Sequence, residues 1–191
     1  MKKLFTTVVL ILLFALPLGS SQKSLHEGKN IWTYKSYESV MEDRKKQLTC
    51  LAKNIYFEAR NEPFAGQFAV ALVTLNRVRD TSFPDTICKV VYQGIHTADG
   101  FPKRDRCQFS WYCDGKSDNI PTVDLDIYEF ARTIAFKIYN GHLTDFTDGA
   151  THYHADYVKP AWAKSKTKTI TIDEHIFYRW ERPNENRLQV Q

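Results

Sequence analysis

The carboxyl group of Glu58 occupies a position from which an acid could do chemistry. Hydrophobic residues recur at helical spacing between Lys45 and Arg60 and share one face of the predicted helix. They are Leu48, Leu51, Ala52, Ile55 and Ala59. Glu58 falls on the margin of this face, and apolar neighbours make a carboxyl group hold its proton longer, as a general acid must. The alternative is an ordinary ion pair with Arg60, Arg77 or a lysine, which the spacing leaves open.

Two histidines lie two residues apart, at His152 and His154, and would point to the same side of a strand. With a third ligand they could hold zinc and activate a water molecule, and the conceivable third ligands are Asp156, Asp173 and His175. Catalytic zinc takes three protein ligands, and no spacing singles one out. The sequence therefore favours histidines that line a cleft or bond to the backbone, and neither a metal nor another cofactor is predicted.

A third polar group lies in the segment 107–113, which reads CQFSWYC. Its aromatic content predicts a strand, followed by a turn at Asp114-Gly115. Alternation would place Gln108 and Ser110 on one face, where they could bond to sugar hydroxyl or acetamido groups. A strand with one buried face would have the same pattern.

Four cysteines, Cys50, Cys88, Cys107 and Cys113, favour two disulfides in an exported chain. Three connectivities are possible, and proximity in sequence favours Cys50–Cys88 with Cys107–Cys113. The absence of a CxxC pair argues against a zinc ribbon or a thioredoxin-type site. The sequence also lacks a GxSxG elbow, a P-loop and a dinucleotide-binding fingerprint.

The elements that would position these groups are helices first and strands later. Helices are predicted over 45–60, 64–79, 87–92 and 124–140, with a surface loop over 94–106. Ile127, Phe130, Ala131, Ile134, Ala135 and Ile138 form the expected inner face of the fourth helix. Short alternating runs between Thr147 and Trp180 predict two or three strands of a small antiparallel sheet. This order is typical of the α+β class.

The N-terminal residues have the layout of a secretory signal peptide, with a basic start at Lys2-Lys3 and an uncharged apolar stretch from Leu4 to Gly19. We assign 1–21 to the signal peptide, 22–44 to a linker or N-terminal arm, 45–182 to a catalytic domain and 183–191 to a tail. The alternative is an uncleaved membrane tether, but the apolar run of 16 residues is shorter than the about 20 that a span needs, so no stable membrane span is expected after signal removal. The protein is expected in the periplasm, outside the cell or at the cell wall.

Removal of the signal peptide lowers the formal net charge from +4 to +2. This small excess does not predict a nucleic-acid-binding protein, which normally carries a dense basic stripe. A monomer is expected.

Four stretches in this order resemble the spore-cortex-lytic SleB/CwlJ family of cell-wall hydrolases. They read LAKNIYFEARNEPFAGQFAVALVTLNRV (51–78), FPDTICKVVYQ (83–93), CQFSWYCDG (107–115) and GATHYHADYVKPAWA (149–163). The resemblance implies a lysozyme-like α+β domain, with a helical core and a small antiparallel sheet, that acts on peptidoglycan. It also implies that Glu58 is the catalytic glutamate. The family's spore enzymes carry an N-terminal repeat-type wall-binding domain, from which this sequence departs. A role in spore germination is therefore not expected here.

The preferred hypothesis is lytic transglycosylation between N-acetylmuramic acid and N-acetylglucosamine, with Glu58 as general acid and then base. The sequence offers no obvious second carboxylate, since Glu62 beside Pro63 is interpreted as a solvated residue. The predicted walls of the cleft are Tyr56, Gln108, Ser110, Tyr153, His154 and Trp162. The alternatives are a hydrolytic muramidase, a zinc-dependent N-acetylmuramoyl-L-alanine amidase that uses His152 and His154, and a catalytically silent peptidoglycan-binding module.

Overall fold

The computed structural model describes the backbone of residues 27–181 and the side chains of residues 36–181. Residues 40–181 belong to the compact unit discussed below, and the described residues before it are helical. The predicted signal peptide and C-terminal tail lie outside the described residues. Among the described helices, none is both long enough and apolar enough to cross a membrane.

Four helices lie close to the predicted positions, except at the first helix's start. They are α1 Glu27–Ala59, α2 Phe64–Arg79, α3 Ile87–Val91 and α4 Leu125–Tyr139. α4 ends as predicted, with Gly141 at a φ of 71° and its N–H donating to the carbonyl of Ile138. α1 begins 18 residues before the predicted start near Lys45. Residues 36–43 are mostly exposed and carry no buried face, so no apolar period marked them as helical.

The strands form two antiparallel sheets. β1 Gly94–His96 pairs with β2 Pro102–Cys107, and a three-stranded sheet has the order β3-β5-β4, from β3 His152–Ala155, β4 Thr167–Ile172 and β5 His175–Arg179. The three-stranded sheet confirms the prediction for the C-terminal part. The first hairpin was predicted as a loop. Its strands are exposed on both faces, so the charged run 103–106 showed no alternation.

The prediction of a strand over 107–113 is wrong. The strand ends at Cys107, and Ser110–Cys113 is a 3₁₀ turn. The Cys107–Cys113 disulfide holds the two Cα atoms 6.1 Å apart, whereas the ends of a seven-residue strand would lie roughly 20 Å apart. The predicted alternation of burial nevertheless holds, with Phe109 and Trp111 buried and Gln108 and Ser110 exposed. The second disulfide joins Cys50 to Cys88, so the favoured connectivity is confirmed.

α2 lies at the centre of the fold, which explains why it is apolar nearly all round. Ala71 and Leu72 pack into the helical core with α1, α3 and α4. Ala69 and Val73, on another side of the helix, pack against Phe177 of β5 and other residues of the three-stranded sheet. A helix buried from two sides keeps no polar face.

α4 is buried on a narrower face than predicted. Ala131, Ile134, Ala135 and Ile138 are buried, whereas the side chains of Ile127 and Phe130 are 41% and 36% exposed. Phe130 packs at the surface against Phe64, with ring centroids 4.9 Å apart. The first turns of α4 therefore reach beyond the core.

Candidate active site

Glu58 lies in the last turn of α1, where the helix packs against the three-stranded sheet. The helix ends at Ala59, and the N–H of Glu62 donates to the carbonyl of Ala59 in the following turn. Pro63 then begins the connection to α2 and prevents the helix from continuing. The side chain of Glu58 is partly buried, as its place beside the apolar face predicted.

Tyr153 of β3 holds the Glu58 carboxyl group. Its hydroxyl donates a hydrogen bond of 2.7 Å to Oε2 of Glu58. Tyr153 lies opposite Phe177 in the β3–β5 register, on the sheet face that packs against α2. The bond joins residues 95 positions apart in sequence, so the fold itself creates this contact.

Burial raises the pKa of Glu58 above its ordinary value. The hydrogen bond from Tyr153 and the charges of Arg77 and His175 act in the opposite direction but do not cancel this effect. The carboxyl group therefore keeps its proton to a higher pH than an exposed glutamate. Such a group is suited to donate a proton to a leaving oxygen.

Arg77 supplies the larger of the two charge effects on Glu58, and sequence patterns mark it only as a possible ion-pair partner. It is buried on α2, and its Nε donates 2.7 Å to the carbonyl of Thr151. Its guanidinium group lies 5.3 Å from the ring centroid of Phe83 and 4.9 Å from that of Phe109. The available signal was an arginine within an otherwise apolar helix, because arginine is rarely buried without a specific partner.

A cleft of about 490 Å³ opens beside Glu58. One wall is the C-terminal end of α1, and the other is the segment 110–124. Trp111 stacks on Phe57 with ring centroids 4.6 Å apart, which fixes an aromatic surface in the cleft. The remaining lining is polar and charged and consists of Arg60, Ser110, Asp114, Lys116, Ser117, Asp118, Asn119 and Asp124 with Tyr56 and Pro121.

Three of the predicted cleft residues gather around Glu58. Tyr153 bonds to it, and Ser110 lines the cleft at the start of the 3₁₀ turn. Tyr56 also borders the cleft, but its side chain is only 1% exposed and its hydroxyl donates to Asp124. Tyr56 therefore positions the cleft wall more than it offers a surface for a ligand.

Gln108, His154 and Trp162 are not among the described residues that line this cleft. Side chains alternate along a strand, so His154 points to the sheet face opposite that of Tyr153. There His154 stacks on Tyr178 at 5.2 Å, and Trp162 packs edge-on against both rings. Of these two neighbours in β3, only Tyr153 therefore reaches Glu58.

The histidines do not form a metal site with other described residues. No three His, Cys, Asp or Glu side chains in the described part of the chain are placed to share a metal ion. Both ring nitrogens of His154 already have partners, the carbonyl of Ala155 and the hydroxyl of Tyr178. His175 faces the other side of the sheet, where it contacts Tyr153 and Glu62.

The interpretation of Glu62 as a solvated residue is also wrong. Its side chain is only 11% exposed, because β5 covers it. His175 at the start of β5 lies against the Glu62 carboxylate, 3.4 Å away.

Comparison with known proteins matches residues 61–178 to the family described as cell wall hydrolase. The match begins three residues after Glu58 and includes Arg77, Tyr153 and the cleft segment 110–124. The chain is 32% identical over 128 residues to a spore cortex-lytic enzyme of Halalkalibacterium halodurans and 30% identical over 134 residues to one of Bacillus cereus. These alignments cover 66% and 70% of this chain but only 33% and 44% of the relatives. The chain thus spans less than half the length of these relatives.

Two solved structures resemble the fold. The catalytic domain of the Bacillus cereus SleB protein has a TM-score of 0.54 at 29% identity, over 71% of this chain and 91% of that domain. The catalytic domain of the germination-specific lytic transglycosylase SleB from Bacillus anthracis has a TM-score of 0.53 at 30% identity, over 70% and 93%. These matches confirm the predicted lysozyme-like α+β fold. With a family match over more than half of its length, the chain belongs to the cell wall hydrolase family.

Proposed function

We propose that the protein is a lytic transglycosylase that cleaves peptidoglycan between N-acetylmuramic acid and N-acetylglucosamine. The observation that carries this proposal is the partly buried Glu58 carboxyl group, held by Tyr153 at the edge of a polar cleft. The name of the Bacillus anthracis neighbour, a lytic transglycosylase, supports the same reaction. Peptidoglycan lies outside the cytoplasm, so the proposed activity fits the exported location expected from the N-terminal sequence.

In the proposed reaction, one carboxyl group performs two proton transfers. Protonated Glu58 first donates its proton to the glycosidic oxygen, and the bond from this oxygen to C1 of the muramic acid breaks. The Glu58 carboxylate then takes the proton of the muramic C6 hydroxyl, whose oxygen bonds to C1 and closes a 1,6-anhydro ring. Glu58 ends protonated and no water is consumed. The raised pKa of Glu58 serves the first step, and the Tyr153 hydrogen bond stabilises the carboxylate between the steps.

The chemistry of the cleft suits an amino sugar polymer with acidic peptides. The partly exposed ring of Phe57, backed by the buried Trp111, provides an aromatic surface, and Ser110 and Asn119 offer groups for hydroxyl and acetamido partners. Arg60 and Lys116 also line the cleft and could bind peptide carboxylates.

A hydrolytic muramidase is the nearest alternative, because it would cleave the same bond. It would need a second carboxylate near Glu58. Asp114, Asp118 and Asp124 line the same cleft, and Asp124 already accepts the Tyr56 hydroxyl. Burial raises the pKa of Asp118, so this residue is the one chosen for the test. Under the transglycosylase proposal, Asp118→Asn changes substrate affinity but leaves anhydro products. Hydrolysis would be favoured if the wild type releases products with reducing ends and Asp118→Asn loses cleavage altogether.

The amidase and the silent binding module fit the site less well. The amidase would need a metal at His152 and His154, which share a sheet face opposite Tyr153 and lack a third ligand among the described residues. A silent module would have no use for a carboxyl group whose pKa is raised by burial and which is held by a tyrosine.

The decisive experiment is mass spectrometry of the fragments released from purified peptidoglycan by wild type and Glu58→Gln. We expect 1,6-anhydro muropeptides from the wild type and none from the variant. Glu129→Gln is the matched control, because Glu129 is exposed and pairs with Arg132 away from the cleft. Full activity of Glu58→Gln, or release of free peptides from intact glycan, would overturn the proposal.

A further inference from the structure

A second carboxyl group, that of Glu62, lies buried one helical turn beyond Glu58. Its Oε1 is 3.4 Å from Nδ1 of His175, and the two side chains are only 11% and 13% exposed. This distance suits an ion pair when the imidazole is protonated. Neither Oε2 of Glu62 nor Nδ1 of His175 has a hydrogen-bond partner among the described residues.

His175 connects Glu62 to the catalytic group through Tyr153. The rings of His175 and Tyr153 meet edge to face, with centroids 5.2 Å apart and planes at 87°. The Tyr153 hydroxyl in turn bonds to Glu58. The order Glu58, Tyr153, His175, Glu62 is therefore a continuous series of contacts, in which the two middle residues come from the paired strands β3 and β5.

The backbone of α2 at Gly66 leaves space for the Glu62 side chain. A Cβ atom added at Gly66 would lie 2.9 Å from Cβ of Glu62, so only glycine leaves room for this side chain. The side chain of Gln67 donates to the Glu62 carbonyl at 3.0 Å and fixes the turn after α1.

Stability alone does not account for this arrangement. Burying a carboxylate and an imidazole with incomplete hydrogen bonding costs free energy, and an apolar pair would fill the space at lower cost. Polar groups retained in such a place are a common feature of functional sites.

We propose that Glu62 and His175 are a positioning pair, which holds the Tyr153 hydroxyl against Glu58 and presents a protonatable group to it. The proposal rests on the assignment of Glu58 as the catalytic acid. Neither residue of the pair faces the cleft, so each acts through Tyr153 and through its charge.

His175 and Arg77 are the two basic side chains whose charges act on Glu58, and His175 acts from the sheet whereas Arg77 acts from α2. A positive charge on His175 favours the Glu58 carboxylate and so lowers the pKa of Glu58, against the larger effect of burial. The other ionisable groups that face this region are Tyr153 from β3, Arg60 from the end of α1, and Asp114, Lys116, Asp118 and Asp124 across the cleft.

The test compares Glu62→Gln and His175→Gln with wild type in kcat, KM and the pH profile of peptidoglycan solubilisation. Activity requires protonated Glu58 and falls as the pH rises through the pKa of Glu58. Loss of the imidazolium, or of the carboxylate that pairs with it, weakens the stabilisation of the Glu58 carboxylate. We expect the alkaline limb to move up by at least about 0.5 pH unit in both variants, and the plateau kcat to fall about five-fold or more with KM within about two-fold.

The controls are Glu129→Gln and His142→Gln, two exposed residues outside the cleft, which should leave the profile unchanged. The double variant should be no worse than the more impaired single variant, because the two residues act as a unit. Both single variants conserve approximate size, and thermal melts would confirm that they fold.

An unchanged pH profile and kcat in folded Glu62→Gln and His175→Gln would overturn the pairing role. A shift of the alkaline limb to lower pH in Glu62→Gln would also overturn it, since it would mean that Glu62 acts on Glu58 as a direct negative charge. Full activity of Glu58→Gln would mean that the proposed function itself fails. This result is distinguishable from the two above, because they concern only Glu62→Gln and His175→Gln.

Discussion

The hydroxyl of Tyr153 donates a 2.7 Å hydrogen bond to the carboxyl group of Glu58. One residue comes from the end of the first helix and the other from the first strand of the C-terminal sheet. Their meeting requires that both elements pack on α2, which touches the helical core with one side and the sheet with another. The geometry of the proposed catalytic acid thus depends on the central helix, which also places Arg77 near Glu58.

Replacement of Tyr153 by Phe should impair the acid without unfolding the protein. The ring keeps its packing against Phe177, but the hydrogen bond to Glu58 is lost. We expect kcat to fall about 10- to 100-fold, with a smaller change in KM. Because this hydrogen bond lowers the pKa of Glu58, the alkaline limb of the pH profile should also move to higher pH.

Tyr157→Phe is the matched control for that measurement, since the side chain of Tyr157 is 79% exposed. It should behave as wild type. An alkaline limb in Tyr153→Phe that coincides with the wild-type limb would show that the hydroxyl does not interact with the Glu58 carboxylate.

The Glu58→Gln variant should be more stable than wild type at neutral pH. The folded-state pKa of Glu58 is raised, so the folded state binds the proton more tightly than the unfolded state does. The wild type therefore loses stability as the pH rises from the unfolded pKa, about 4.3, through the folded pKa. Chemical denaturation should show a difference between variant and wild type at pH 8 that disappears below about pH 4.

Glu129→Gln is the control, because an exposed glutamate should show little of this pH dependence. Equal stability of Glu58→Gln and wild type at every pH would contradict the burial of an unfavourable charge in the site.

Sequence patterns could locate Glu58 because its surroundings in α1 are local. Helical periodicity places it beside the buried Leu51 and Ile55, and the structure keeps it there. The all-round apolar pattern of α2 likewise predicted a central helix. Proximity in sequence favoured the observed disulfides, since both close comparatively short loops.

Sequence patterns could not determine which sheet face meets Glu58. Tyr153 and His154 are adjacent, so alternation puts one in the site and the other outside it, but the choice depends on packing against Ala69 and Val73 of α2. Glu62 illustrates the same limit. A helix end beside Pro63 is usually solvated, and only β5, more than 100 residues later, covers it.

The two disulfides should differ in what their removal affects. In the chain-entropy model, loss of Cys50–Cys88 costs about 4 kcal/mol and loss of Cys107–Cys113 about 2 kcal/mol, because the second closes a shorter loop. The shorter bridge, however, spans the turn that places Ser110 and Trp111 in the cleft. We compare the two double Ala variants. The variant without Cys50–Cys88 should lose more stability in denaturation, and the variant without Cys107–Cys113 should lose more activity.

Activity is best measured at a temperature at which both disulfide variants remain folded. We expect the variant without Cys107–Cys113 to lose at least about ten-fold in kcat/KM, since small displacements in a cleft are costly. The variant without Cys50–Cys88 should retain most of its activity. A reversed order of activities would mean that the turn keeps its conformation without the bridge.

Gly66→Ala tests whether the fold reserves space for Glu62. At an ordinary helical position this change favours folding by roughly 0.5–1 kcal/mol, because alanine loses less conformational freedom than glycine. At Gly66 the new Cβ would lie 2.9 Å from Cβ of Glu62, so the turn after α1 must shift and Glu62 must move away from His175. We expect no gain in stability, and an alkaline limb that moves to higher pH as in Glu62→Gln.

Thr133→Ala, at an exposed position of α4, provides the control for helix propensity and should leave the pH profile unchanged. A Gly66→Ala protein that is stabilised by the full helix propensity and has a wild-type pH profile would show that Glu62 does not need this space.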